Sequence, residues 1–166
     1  FGVIHGLEAF LPHLRAQNEG HIVNTASISS FLNMAGMGPY NASKAAVLAL
    51  SETLFHELAD EHSAVGVSVL CPFWVRTALG TSDRNRPESH AVMFTTEQAD
   101  KIAVRRAKIA EVFARDAIEP SAVADLVVEA ITERRFYVFT HPEATEQVAT
   151  RFERVIAGAD PTPPIV

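Results

Sequence analysis

The chain of 166 residues is 48% apolar and 20% charged, which excludes a disordered segment and predicts one globular domain over residues 1–166. Its formal net charge of -6 argues against nucleic acid as a partner, because phosphate binding needs clustered Lys and Arg side chains. No run approaches the roughly 18 apolar residues of a membrane span, so we expect no membrane partner.

Hydrophobic periodicity divides the chain into alternating helices and strands. The first helix has no cap or turn residue before Phe1, whereas Pro39 predicts the first turn of the second. The apolar run 67–71 is typical of a strand covered on both faces. In chain order the predicted elements are helix 1–17, strand 21–26, helix 39–62, strand 67–71, helix 95–116, helix 119–135, strand 136–140 and helix 143–157.

This order predicts an α/β fold, with a doubly wound, mostly parallel sheet. Ligands of such sheets bind beyond the carboxyl ends of the strands. We therefore expect the chemistry at "NTASISS" (24–30) and "CPFWVRT" (71–77), which end two predicted strands. The polar segment 78–94 is long enough to be functional rather than only a connection, and it is predicted to be irregular over 78–92.

Tyr40 and Lys44 are four residues apart at a helix start, so their side chains share one face. A phenol has a pKa near 10, and a nearby ammonium or helix N-terminus lowers it toward the range useful for proton transfer. Ser27 follows a predicted strand, where its hydroxyl can hold a reacting oxygen. The three together suit carbonyl–alcohol interconversion. Tyr and Lys at this spacing are also common by chance, and an exposed surface pair is the alternative.

Three segments together resemble the short-chain dehydrogenase/reductase family, in its classical branch. They are "GHIVNTAS", "PYNASKAAV" and "VSVLCPFWVRT", in the family's order and with its spacing of thirteen residues from Ser27 to Tyr40. The resemblance covers essentially the whole chain. It implies a Rossmann-like fold, of which this chain would be the C-terminal catalytic half, with a substrate loop at about 78–116.

The resemblance implies a role for each matched residue. Tyr40 would be the general acid/base, Lys44 would support it and bind the nicotinamide ribose, and Ser27 would hold the substrate oxygen. The implied cofactor is NAD or NADP, bound by Tyr40, Lys44, Pro72, Phe73, Val75 and Thr77. The expected substrate-binding residues are Ser27, Ser29, Met37, Phe73 and Trp74.

The chain departs from the family pattern in three places. Phe73 stands where the family usually has glycine, and Ala26 replaces the first serine of a pair. The Gly-rich turn T-G-x-x-x-G-x-G, which opens a helix that holds the pyrophosphate, is not in these residues. By the same match, the asparagine of the family's catalytic tetrad would fall just before Phe1.

The functional expectation is an NAD(P)-dependent oxidoreductase that interconverts a secondary alcohol and a ketone or aldehyde. Two alternatives stay open: a non-catalytic fragment or pseudoenzyme, and an epimerase or dehydratase of the extended branch. Helices 1–17 and 39–62 are those that the family uses to form homodimers and homotetramers. Cys71, the only cysteine, predicts a buried inert thiol and a cytoplasmic location, and no metal site is expected.

Overall fold

The computed structural model describes residues 1–90 and 92–164. Residue 91 of the predicted substrate loop and residues 165–166 of the predicted domain therefore lie outside the described residues. The element order agrees with the prediction, with helix and strand ends displaced by one or two residues. The helices are α1 (Gly2–Gln17), α2 (Gly38–Asp60), α3 (Thr96–Asp116), α4 (Pro120–Glu133) and α5 (Glu143–Ile156), and the strands are β1 (His21–Thr25), β2 (Gly66–Cys71) and β3 (Tyr137–Phe139).

The three strands form a parallel sheet in the order β1-β2-β3. All six residues of β2 are buried, because helices cover both of its faces. Val69 and Cys71 pack toward α2 and α5, while Leu70 packs with Val138 against α4. The predicted α/β class with a doubly wound parallel sheet is confirmed.

Helix α1 ends at a residue that also positions the entry into β2. Asn18 adopts a left-handed conformation, with φ of 48°. Its side-chain oxygen accepts hydrogen bonds from the Ala64 amide at 2.8 Å and the Ser63 hydroxyl at 3.1 Å. Asn18 thereby caps the first helix through its backbone N–H, which donates to the Arg15 carbonyl at 3.2 Å, and fixes the loop between α2 and β2 through its side chain.

The segment after β2 differs from its predicted irregular form. Ala78–Asn85 forms 3₁₀ turns on either side of a kink at Thr81, and a second 3₁₀ helix spans Glu88–His90. Arg84 holds the first of them together, because its guanidinium donates to the carbonyl oxygens of Ala78 and Thr81. Such local side-chain bonds leave little trace in a hydrophobic pattern. In the described part of the chain, no helix has both the length and the hydropathy needed to cross a membrane.

Gly66 is expected to tolerate no side chain. A Cβ at this position would fall 2.7 Å from Cε1 of His21 and still closer to its Nδ1. His21 has little freedom to move, because its Nε2 is 2.7 Å from the buried hydroxyl of Ser68. We expect Gly66→Ala to lower the free energy of unfolding by about 1–3 kcal/mol, as overpacking does elsewhere.

The matched control for this substitution is Gly6→Ala. A Cβ on Gly6 in α1 meets no atom within 4 Å, and Ala is favoured over Gly in a helix by about 1 kcal/mol. Urea unfolding of the two variants measures the difference. Equal stability of the two variants would show that His21 moves aside at no cost.

Candidate active site

Ser27 lies where β1 and β2 end side by side. Past the strand ends, the Ala26 amide donates to Leu70 at 2.8 Å and the Ile28 amide donates to Pro72 at 2.9 Å. Between these two bonds, the buried Ser27 hydroxyl accepts from the Ser29 amide at 3.1 Å. It also donates to the Pro72 carbonyl at 3.5 Å, the long limit of a hydrogen bond. The structure thus brings Ser27 and Pro72 together.

Lys44 is held at both ends. Its ammonium donates to the Thr25 carbonyl, the last residue of β1, at 3.0 Å. Its own carbonyl accepts from the Ser30 hydroxyl at 2.8 Å. Burial lowers the pKa of Lys44, and attraction to the Cys71 sulfur acts in the opposite direction. The helix therefore presents a partly desolvated ammonium at the carboxyl edge of the sheet.

Tyr40 lies in the first turn of α2 and is half-buried. The Lys44 ammonium nitrogen is 5.9 Å from the centroid of its ring. The two side chains therefore share one helix face, as their spacing predicts. Pro39 supplies the preset φ with which this helix begins.

The segment that follows β2 is anchored to the chain just after α3. Val75 forms a parallel bridge with Ile118, in which the Ile118 amide donates to the Trp74 carbonyl at 3.1 Å and the Arg76 amide donates to the Ile118 carbonyl at 2.9 Å. This pattern uses the Trp74 carbonyl and the Arg76 amide, and it leaves the N–H and C=O of Val75 on the opposite edge. The ring of Phe73, the residue that replaces glycine, stacks on Trp74 with centroids 4.8 Å apart.

The remaining predicted residues occupy different environments. Ser29 is 2% exposed and lies in a 3₁₀ turn, Ile28–Ser30. Met37 is half-buried and immediately precedes α2, whereas Thr77 is exposed. The Thr77 hydroxyl accepts from the Leu79 amide at 3.4 Å. The roles assigned to these three residues stay predictions.

Sequence reasoning missed two residues at this edge, Thr140 and His141. They directly follow β3 and are buried, at 7% and 4% exposure. The Thr140 hydroxyl accepts from the Phe73 amide at 3.0 Å. The polar residues at the end of the predicted strand 136–140 and directly after it were the available signal, because this is the third strand end of the sheet. Among the described residues, no group of three or more His, Cys, Asp or Glu side chains is placed to hold a metal ion.

Cys71 is expected to resist thiol reagents in the folded protein. It is 1% exposed, and burial raises the pKa of its thiol from the usual 9.0 to about 12. That difference lowers the thiolate fraction at pH 8 by a factor of about 1,000, and the thiolate is the reactive form. We expect an aromatic disulfide reagent to label Cys71 only after denaturant is added.

A Cys71→Ala variant distinguishes the labelling of Cys71 from the labelling of any other cysteine in the full-length protein. The rate is followed by absorbance at pH 8, with and without denaturant. Native labelling of Cys71 at the rate of an exposed thiol would contradict the burial seen here.

Comparisons with known proteins match different lengths of the chain, and all of them point to short-chain dehydrogenases. The family model described as short chain dehydrogenase matches residues 1–88. A Cα-dehydrogenase from Sphingobium sp. is 29% identical over 161 residues, which are 96% of this chain and 50% of that protein. The chain therefore spans about half the length of this curated relative.

Two solved structures extend the comparison. A short-chain dehydrogenase/reductase from Burkholderia phymatum, in complex with NAD, has a TM-score of 0.86 and 39% identity, and the match covers 99% of this chain and 58% of that one. An actinorhodin polyketide ketoreductase with NADPH has a TM-score of 0.54 and 27% identity, covering 76% and 48% of the two chains. With its matched family model, its relatives and its Rossmann-type sheet, the chain belongs to the short-chain dehydrogenase family.

Proposed function

We propose that the protein containing this chain is an NAD(P)-dependent oxidoreductase that interconverts a secondary alcohol and a ketone or aldehyde. The observation that carries the proposal is the position of Lys44. Its ammonium is fixed to the end of β1 and lies 5.9 Å from the Tyr40 ring. Ser27 lies at the same strand ends. A phenol, an ammonium and a hydroxyl at one sheet edge suit proton transfer to or from an alcohol oxygen.

Each of the three residues has a distinct task in this proposal. The Ser27 hydroxyl donates a hydrogen bond to the substrate oxygen, which is feasible because its present bond to Pro72 is long and weak. The Tyr40 hydroxyl gives a proton to that oxygen during reduction and takes it back during oxidation. Lys44 stabilises negative charge that develops on the phenol oxygen.

The residues at this edge fit a nicotinamide. The free edge of Val75 presents one N–H and one C=O, which match the donor and acceptor of a carboxamide. Pro72, Phe73 and Thr77 would border the ring, and Tyr40 and Lys44 would bind its ribose. When bound, NAD(P) supplies or accepts the hydride. The similar structures with NAD and with NADPH support this class of cofactor and leave the choice between the two open.

The neighbouring side chains favour an apolar substrate. Phe73 and Trp74 are half-buried, and Trp74 also packs edge-on against Phe113 with centroids 5.0 Å apart. Met37 lies at the start of α2, and Ser29 follows Ser27 in the 3₁₀ turn. We propose that the substrate lies between these groups and the segment 78–116.

Helices α1 and α2 are proposed to form a homodimer or homotetramer. Ile4, Phe10 and Phe55 are exposed on them, at 43%, 69% and 42%. Burial of such apolar side chains against a second copy would be favourable.

The test uses the full-length protein, with NAD+ or NADP+ and a panel of secondary alcohols, followed at the absorbance of the reduced nicotinamide. We expect net reduction of one cofactor with at least one aliphatic or aromatic alcohol. Turnover of a sugar nucleotide without net cofactor consumption would assign the protein to the epimerases instead. Binding of NAD+ or NADP+ with no turnover across the panel would contradict the proposed activity.

A further inference from the structure

Thr140 and His141 lie at the end of β3, outside the residues given a task above. Both side chains are buried. Their hydrogen bonds reach two other segments, the one that follows β2 and the C-terminal end of α3. The pair thus connects three parts of the chain that are far apart in sequence.

The directions of these bonds follow from the chemistry of the partners. The Asp116 carbonyl can only accept, so Nε2 of His141, at 3.0 Å, carries a proton and donates to it. In the neutral ring Nδ1 is then the acceptor, and the Thr140 hydroxyl donates to it at 2.8 Å. The Thr140 oxygen in turn accepts from the Phe73 amide at 3.0 Å. These three hydrogen bonds form a relay from the Phe73 amide through Thr140 and His141 to Asp116, and every donor in it has an acceptor.

The relay closes a ring of hydrogen bonds around the segment 73–76. On the far side, the Ile118 amide donates to Trp74 and the Arg76 amide donates to Ile118. Since Asp116 and Ile118 belong to one short stretch of chain, His141 joins both sides of the ring. The backbone edge of Val75 that does not face Ile118 lies between these two attachments.

Aromatic contacts follow the same route. The Phe73 ring meets His141 edge-on, with centroids 5.7 Å apart, and stacks on Trp74. Trp74 meets Phe113, which lies one turn before the end of α3. A shift of His141 would therefore reach both the Val75 edge and the helix α3.

We propose that Thr140 and His141 are positioning residues, which set the place of the 73–76 segment and of the end of α3 relative to Ser27 and Tyr40. The inference rests on the proposed function for the identity of the reacting groups. Thr140 acts on the Val75 edge through the Phe73 amide. His141 acts on α3 through Asp116, the point at which the helix leaves a carbonyl to be satisfied.

The first test is Thr140→Val in the full-length protein, with Thr140→Ser as its matched control. Val keeps the shape and removes the hydroxyl, while Ser keeps the hydroxyl. We expect Val to weaken dinucleotide binding or lower kcat by about 10- to 100-fold, as small misplacements do in other enzymes, and Ser to restore most of the loss. Calorimetry with NAD+ and NADP+ measures the binding.

The second test is His141→Asn, whose side-chain oxygen can still accept from Thr140 but whose side chain ends short of Asp116. The variant loses both the attachment of α3 and the edge-on contact of the imidazole with Phe73. We expect a higher KM for the alcohol and a smaller effect on dinucleotide binding, because the Thr140 bond to the Phe73 amide is kept. If this variant does not fold, the comparison of Thr140→Val with Thr140→Ser tests the proposal without it.

Fluorescence provides a readout that is independent of activity. Trp74 is the only tryptophan in these residues, and a Trp74→Phe variant isolates its emission from that of the rest of the protein. We expect Thr140→Val, and not Thr140→Ser, to change the Trp74 emission of the folded protein without substrate. This result would stand even if no alcohol were oxidised, in which case the proposed function alone would fail. Unchanged emission, binding and kinetics in a less stable Thr140→Val protein would overturn the positioning role.

Discussion

Tyr40→Phe is expected to lower turnover of the full-length protein by about 10²- to 10⁴-fold, the usual contribution of a positioned general acid or base. The substitution removes only the phenolic oxygen. The ring stays at the start of α2, and the Lys44 ammonium keeps its bond to Thr25. Lys44 remains to bind the nicotinamide ribose, so we expect dinucleotide binding to change far less than kcat.

Tyr137→Phe is the matched control, because it makes the same chemical change at the other tyrosine of the chain. The Tyr137 hydroxyl donates to the Glu52 carboxylate at 2.7 Å, and the residue is 43% exposed at the start of β3. We expect this variant to keep the wild-type kcat. Steady-state rates and calorimetric binding of NAD+ or NADP+ are measured for both variants. A Tyr40→Phe enzyme with the wild-type kcat would exclude Tyr40 as the acid/base, and an inactive wild type that binds nucleotide would favour a pseudoenzyme.

The fold was predictable from the sequence because its signals are local and periodic. The run 67–71 has no polar face, and only a strand covered on both sides buries it completely. The helical stripe of α1 and the proline at the start of α2 act within a few residues. For the same reason, the predicted pairing of Tyr40 and Lys44 on one face needed only the period of a helix.

The contacts that hold the site were less predictable, because they join segments that are distant in sequence. The Thr140 hydroxyl accepts a hydrogen bond from the Phe73 amide, 67 residues away, and no sequence pattern around Phe73 predicts this bond. Sequence analysis marked Phe73 as a departure from glycine and as a candidate cofactor- and substrate-binding residue, but it did not identify the packing partners of its ring. The structure shows that its ring fills the space between Trp74 and His141. The 3₁₀ turns after residue 77 depend on bonds from Arg84, which composition alone does not predict.

The largest expected effect on stability is that of Leu58→Ala in α2. Leu58 is 2% exposed, and its cluster joins α1 and α2 to the sheet. We expect the free energy of unfolding to fall by about 3–5 kcal/mol, the upper range for buried leucines. The loss is large where neighbours cannot collapse into the cavity. Here they include Ile22 and Val67, whose strands are held in a fixed register, and α1 is tied to the α2–β2 loop through Asn18. The residues of this cluster are Leu54, Leu58, Val65 and Val67, with Leu7, Leu11, Leu14, Ile22 and Phe136 packed against them.

Leu79→Ala is the matched control, because it makes the same substitution at an exposed position. It separates the effect of lost core packing from any other effect of replacing leucine by alanine. Leu79 is 61% exposed, so its truncation is expected to change the free energy of unfolding by no more than about 0.5 kcal/mol. Urea unfolding at a fixed protein concentration compares the two variants. A cost below about 1 kcal/mol for Leu58→Ala would mean that α1 and α2 can close over the cavity. The exposed apolar residues proposed to contact a second copy lie on the same two helices. Movement of α1 and α2 would therefore also argue against a fixed interface between copies at this surface.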